Sequence, residues 1–142
     1  MNYNSSFYDL LRASSKTKKR VFISFHMDDL HAKELLVEQA KSDKFDLEFI
    51  NYALDEPFSD SWKTRCKERI KQTSVTICLI GEKTAFRDAV LWELDTSYDL
   101  ENKVFGVRIY RDKSHIVPEP IRRNGSKVLL WSISDIVAEL NS

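Results

Sequence analysis

Glu93, in the stretch Phe86-Arg87-Asp88-Ala89-Val90-Leu91-Trp92-Glu93-Leu94, is the residue best placed to do chemistry. It is a carboxylate beside a tryptophan, early in a helix expected to follow the apolar run Val75-Thr76-Ile77-Cys78-Leu79-Ile80. In a doubly wound α/β fold, ligands bind in the crevice at the carboxyl ends of the strands. A carboxylate on the helix after a central strand lies beside that crevice and can act on something held there. Ser24, Phe25, His26, Asp28 and Asp29 fall at the end of another buried strand and are placed to meet the same ligand. Each also has a plain structural reading. Surface helices carry many glutamates, an inward strand position makes Phe25 core, and Asp28 or Asp29 suits a helix start. His26, without a partner in the pattern, makes a poor acid–base catalyst.

These residues need a scaffold, and the apolar patterning supplies one. Arg20–Phe25 reads as a first, buried strand, Asp46–Ile50 as a second, more exposed one, and Val75–Ile80 as a central third. Val104–Tyr110 and Lys127–Trp131 follow as a fourth and a fifth. Helical spacing separates them. One helix follows Asp28-Asp29, a second starts at Ser59 or Asp60 with the inner stripe Trp62, Cys66 and Ile70, and a third covers 87–101 with Val90, Leu91, Leu94 and Tyr98 inward. Ser132 with Asp135 resembles a capping box before a last helix. Residues 112–125, with Pro118 and Pro120, read as mostly loop. Strands alternating with helices imply an α/β, flavodoxin-like three-layer fold: a five-stranded parallel sheet in the order 2-1-3-4-5, with its switch point between strands one and three.

Composition narrows the function classes. A chain of 142 residues, 42% hydrophobic and 31% charged, fits one globular domain with its own core. Twenty-two basic and 22 acidic residues balance, so charge argues for neither nucleic acid nor an anionic membrane surface. The longest apolar run is too short to span a bilayer, and residues 1–6 lack the layout of a secretory signal; a cytoplasmic protein is expected. Cys66 and Cys78 lack the spacing of a zinc or redox pair, so no metal is expected and Cys78 reads as a buried thiol. With three glycines in all, the chain has neither a G-x-G-x-x-G cradle nor a P-loop. Residues 1–17 stand apart as an N-terminal leader, with Phe7, Leu10 and Leu11 making a short helical stripe; residues 18–142 form the domain.

Several of these segments together resemble a known family. Lys19-Arg20-Val21-Phe22-Ile23-Ser24-Phe25-His26, Asp28-Asp29, Glu68–Thr76, Leu79-Ile80-Gly81-Glu82-Lys83-Thr84 and Leu91-Trp92-Glu93-Leu94 are similar, in this order, to the TIR-like proteins of the Thoeris anti-phage system, the ThsB family. The likeness runs over roughly residues 18–135. It implies a TIR fold and an enzyme that cleaves the nicotinamide–ribose bond of NAD+, producing a cyclic ADP-ribose-type signal for a separate NAD-depleting effector. NAD+ is then a substrate and no cofactor is required. A phage-derived trigger and TIR–TIR self-association are the other expected partners. Glu93 occupies the place of the family's catalytic glutamate. The segment 53–58, with Pro57, matches the position of the TIR BB loop but lacks the glycine after proline.

Nicotinamide in NAD+ is already a cationic leaving group, so no general acid is needed to expel it. The demand is for stabilising the oxocarbenium-like ribose, which a carboxylate meets electrostatically and by accepting from ribose hydroxyls. Trp92 either packs under the helix and positions Glu93 or walls the nicotinamide side of the pocket; adjacent helix residues diverge by about 100°, so the two cannot point at one spot. Phe25 or His26 can stack on a base, Asp28 or Asp29 can bond a ribose hydroxyl, and Lys83 and Arg87 can meet the diphosphate or face solvent. A response-regulator receiver is a poor alternative, because strand three ends in Ile80-Gly81 without a phosphate-accepting aspartate. A deoxyribosyltransferase-like enzyme lies nearer. The competitor from another class is a non-catalytic TIR scaffold that self-associates or recruits a partner.

Overall fold

The computed structural model describes residues 19–40, 45–48 and 59–142, the second of these as backbone alone. The leader, the end of the expected second strand and the segment 53–58 lie outside the described residues. Among the described residues five strands, β1 (Lys19–Ser24), β2 (Phe45–Glu48), β3 (Val75–Ile80), β4 (Lys103–Arg108) and β5 (Val128–Leu130), form one sheet in the order β2-β1-β3-β4-β5. Every neighbouring pair is parallel. The helices are α1 (Leu30–Gln39), α2 (Asp60–Lys71), α3 (Asp88–Asp99), α4 (Glu119–Asn124) and α5 (Ile133–Asn141).

Alternation along the strands sends their side chains to two different cores. Val21, Ile23, Ile77, Leu79, Phe105 and Val107 face α1 and α5, through Leu36, Ile136 and Leu140. The alternate positions face α2, α3 and α4: Phe22 meets Trp62, Cys66 and Ile70, while Cys78 and Ile80 meet Val90, Leu94 and Ile121. β3 is buried at all six residues because helices cover both of its faces. The chain leaves β1 into α1 on one face and leaves β3 into α3 on the other. These diverging exits open the crevice where ligands collect in such sheets.

Local chemistry sets the ends of the helices. The Ser59 hydroxyl accepts from the Trp62 amide at 3.1 Å, and the Ser132 hydroxyl from the Asp135 amide at 3.3 Å. Asp29 takes the N-cap position of the helix after β1, one of the two residues expected there, but the local chemistry differs. A 3₁₀ turn over Met27–Asp29 comes first, and the His26 Nδ1 atom accepts from the Asp28 amide at 2.9 Å. Asp29 precedes α1 without a capping bond from its side chain. Residues 112–125 also hold more order than expected, since α4 occupies 119–124. Its two prolines sit before and within the first turn, where an amide hydrogen has no helical partner, and Gly125 ends it with φ +65°.

The inward stripe of α3 is rotated from the expected one. Ala89, Val90, Glu93, Leu94, Thr96 and Ser97 are buried, while Leu91 and Tyr98 are half-buried. Small and polar residues take the inside because the strands beneath carry small residues there. The paired row Ser24, Cys78 and Gly106 crosses the sheet under this helix.

Candidate active site

Glu93 lies beneath the sheet, between α2 and α3, and is only 1% exposed. The Ser24 hydroxyl donates to its Oε1 atom at 2.6 Å, a short bond of the strong, charge-assisted kind. The Cys66 thiol approaches Oε2 at 3.9 Å. Burial, then the nearby Glu93 carboxylate, pushes both the Cys66 and Cys78 thiols far up. Neither supplies a thiolate nucleophile.

A run of hydroxyls seats the helix that carries Glu93. Ser97 Oγ donates to the Glu93 carbonyl oxygen at 2.8 Å and lies 2.8 Å from Thr76 Oγ1. Asn102 Nδ2 donates to Thr76 at 3.4 Å and to Thr73 at 3.0 Å, and Thr73 donates to the Ile70 carbonyl at 2.7 Å. Ser97 uses its one proton on the carbonyl, so Thr76 donates to Ser97. Every hydroxyl in the run has a partner, which makes it a fixed element of packing.

The other expected site residues divide between core and crevice. Ser24 is buried against Glu93, and Phe25, 2% exposed, belongs to the core on the opposite face of the sheet. Of the two readings of Phe25, the structure describes the core one, which takes its ring away from base stacking. Trp92 is half-buried and packs on Trp62 with ring centroids 5.3 Å apart, the positioning arrangement rather than an open wall. His26 gives its Nδ1 atom to the turn that follows β1. Asp28 is exposed and pairs with Lys83 at 3.0 Å, and the Lys83 ammonium holds its carboxyl below the ordinary range.

Asp29 is only 6% exposed. Its carboxylate presses against the backbone at Gly81, where an added methyl group would lie 2.4 Å from Oδ2. Gly81→Ala is therefore expected to cost about 1–3 kcal/mol and to push Asp29 outward. Urea unfolding measures it, and a wild-type midpoint in this variant would show that the contact yields freely.

Burial raises the Asp29 carboxyl above its ordinary value, outweighing the favourable fields of His26 and His31. A carboxyl so raised costs stability once the unfolded chain ionises and costs nothing when both states are protonated. Asp29→Asn is expected to raise the thermal midpoint at neutral pH, with the gain fading as pH falls through about 4. A variant less stable than wild type at pH 7 would contradict this.

Above the strand ends lies a cleft of about 540 Å³. Asp28 and Asp29 line it from β1, and Glu82 and Lys83 from β3, the two strands of the switch point. Tyr110, Lys113 and His115 line it from beyond β4. Nothing in the spacing of these last three marks them; sheet order alone brings them beside residues some 80 positions earlier. Glu93 does not line this cleft. Among the described residues no three His, Cys, Asp or Glu side chains converge to hold a metal.

This architecture is that of a TIR domain. The chain is similar to the TIR domain of the Toll-related receptor TRR-2 from Hydra magnipapillata, with a TM-score of 0.57 over 86% of this chain and 98% of that one at 13% identity. That likeness concerns the fold. The family described as Thoeris protein ThsB, TIR-like domain, matches residues 22–114, and the chain belongs to it. No curated protein is similar enough to match. Among the described residues no helix is long and apolar enough to cross a membrane.

Proposed function

We propose that this TIR domain is an NAD+ glycohydrolase and cyclase acting in anti-phage defence, with Glu93 as its catalytic carboxylate. The observation that carries the reading is the short Ser24–Glu93 bond, in a chain of the Thoeris family. It ties an acidic side chain of α3 to the end of β1 at the switch point. Cleavage breaks the C1′–N bond of the nicotinamide riboside, and the bonding pair leaves with the ring nitrogen, which becomes neutral. The ribose cation is held by the carboxylate until it is captured, by water in hydrolysis or by a nucleophile of the same ADP-ribosyl group in cyclisation. The cyclic product would serve a separate NAD-depleting effector.

Glu93 is covered in this state, so turnover requires its packing to open to the ribose. Trp92 and Ser24 act as positioning residues in this reading. Nicotinamide release from NAD+, followed by chromatography with lysate from phage-infected cells as trigger, tests it. The same burial favours a second reading, in which Glu93 is a structural carboxylate and the domain is a scaffold working by self-association. A triggered protein that leaves NAD+ intact while associating through its TIR surface would support the scaffold.

A further inference from the structure

A groove of about 210 Å³ runs along α1, on the face of the sheet opposite Glu93. Its walls are His31, Ala32 and Leu35 of α1, Ile109 and Tyr110 beyond β4, and Trp131 beyond β5. His31, Leu35 and Gln39 stand at successive i+4 positions and form one ridge of the helix. The polar atoms around it are engaged with one another. The Tyr110 hydroxyl lies 3.3 Å from His31 Nε2, and Trp131 Nε1 donates to Gln39 Oε1 at 3.3 Å. The lining therefore offers carbon surface, with Leu35 46% and Tyr110 40% exposed. Its volume is below the roughly 300–1,000 Å³ of small-molecule sites, so it suits a few apolar side chains of a peptide.

The N-terminal leader carries such side chains and joins the fold on the same face. Phe7, Leu10 and Leu11 have the i, i+3, i+4 spacing of one helix side, and Ser6 with Asp9 has that of a capping box. So short a helix is marginal alone in water, and its apolar side needs a surface to pack on. The Lys19 ammonium donates to the Leu140 carbonyl at 2.5 Å, at the end of α5. Lys19 alternates with Val21 and Ile23, which face α1 and α5. Residues 12–18 separate Leu11 from Lys19 and span up to about 26 Å when extended. β1 climbs about 17 Å and the helical layer is about 10–12 Å thick, so roughly 20 Å has to be bridged. Charge agrees with this path: Arg12, Lys16 and Lys18 lie in the connecting stretch, and Glu34 and Glu38 stand exposed on α1.

We propose that the leader of the same chain packs Phe7, Leu10 and Leu11 into this groove, against His31, Leu35 and Trp131, in the manner of a helix laid in an apolar groove. Tyr110 lines both the groove and the cleft, so the docked leader braces one wall of the cleft. The inference rests on none of the chemistry assigned to Glu93.

Maleimide labelling of the full-length Leu35→Cys protein tests the docking. Leu35 is exposed, so its replacement spares the core, and Cys66 and Cys78 are buried and silent while the fold holds. The introduced thiol is expected to react slowly, and at least tenfold faster once Phe7→Asp or Leu10→Asp is added, with Cys66 and Cys78 still unlabelled. Equal rates with and without the leader substitution overturn the proposal. Protection that disappears on dilution overturns it too, since a second copy would then be the occupant. A second measurement removes no apolar contact by charge: Leu10→Cys combined with Leu35→Cys is expected to be joined within one chain by a short bifunctional maleimide. Products joined only between chains, or no joined product, count against the same-chain leader.

Discussion

Glu93→Gln is expected to lower triggered nicotinamide release by about a hundredfold or more, while thermal unfolding stays close to wild type. The two effects separate because the amide keeps the shape of the side chain and the oxygen that accepts from Ser24, 2.6 Å away. Only the charge is lost, and charge is what a ribose cation requires. The stability change should stay within about 1.5 kcal/mol, the net value of an ordinary hydrogen bond. Undiminished turnover by a folded Glu93→Gln protein would remove this residue from the chemistry. A fall in midpoint in step with activity would point to the structural carboxylate instead. Ser24→Ala should reduce turnover less, since it frees the carboxylate without discharging it.

The largest loss of stability is expected from Trp62→Ala, at about 3–5 kcal/mol in denaturant unfolding. Trp62 is 1% exposed and packs against Phe22 of β1, Cys66 and Ile70 of its own helix, and the ring of Trp92. Deleting the indole leaves a cavity between α2 and α3 that its neighbours cannot collapse to fill. Trp92 would lose its support, so tryptophan fluorescence should report a more solvated ring. A loss below about 1.5 kcal/mol would mean that this layer is looser than its packing suggests.

Much of this arrangement can be read from residue order. Uniform burial of Val75–Ile80 follows from its unbroken apolar run, and the burial of Phe25 from its alternation with Val21 and Ile23. Glu93 stands four residues after Ala89 and four before Ser97, a spacing that puts all three on the inward side of α3. What hid this was polarity: Ser97 looks solvent-facing until the Thr76 hydroxyl of β3 is found 2.8 Å from its own. Helix α4 was obscured by prolines, although Pro near a start and Gly just past an end are themselves helix signals. Tyr110, Lys113 and His115 gave no local sign, because only the sheet order carries them to Asp29. The near wall of the cleft, Asp28, Asp29 and Lys83, was legible from the switch point; its far wall was not.

The hydroxyl run from Asn102 to the Glu93 carbonyl has a mechanical implication. With one proton per hydroxyl the run has a single direction and works as a key in a slot, so α3 cannot slide along β3 without breaking the bonds that Ser97 and Asn102 make to Thr76. The carboxylate is thus bolted to the strand beneath it. On its other side the same carboxylate meets α2 through the Cys66 thiol, with the Trp62 and Trp92 rings packed beside it, so the proposed reaction would require that side layer, and not the strand, to give way.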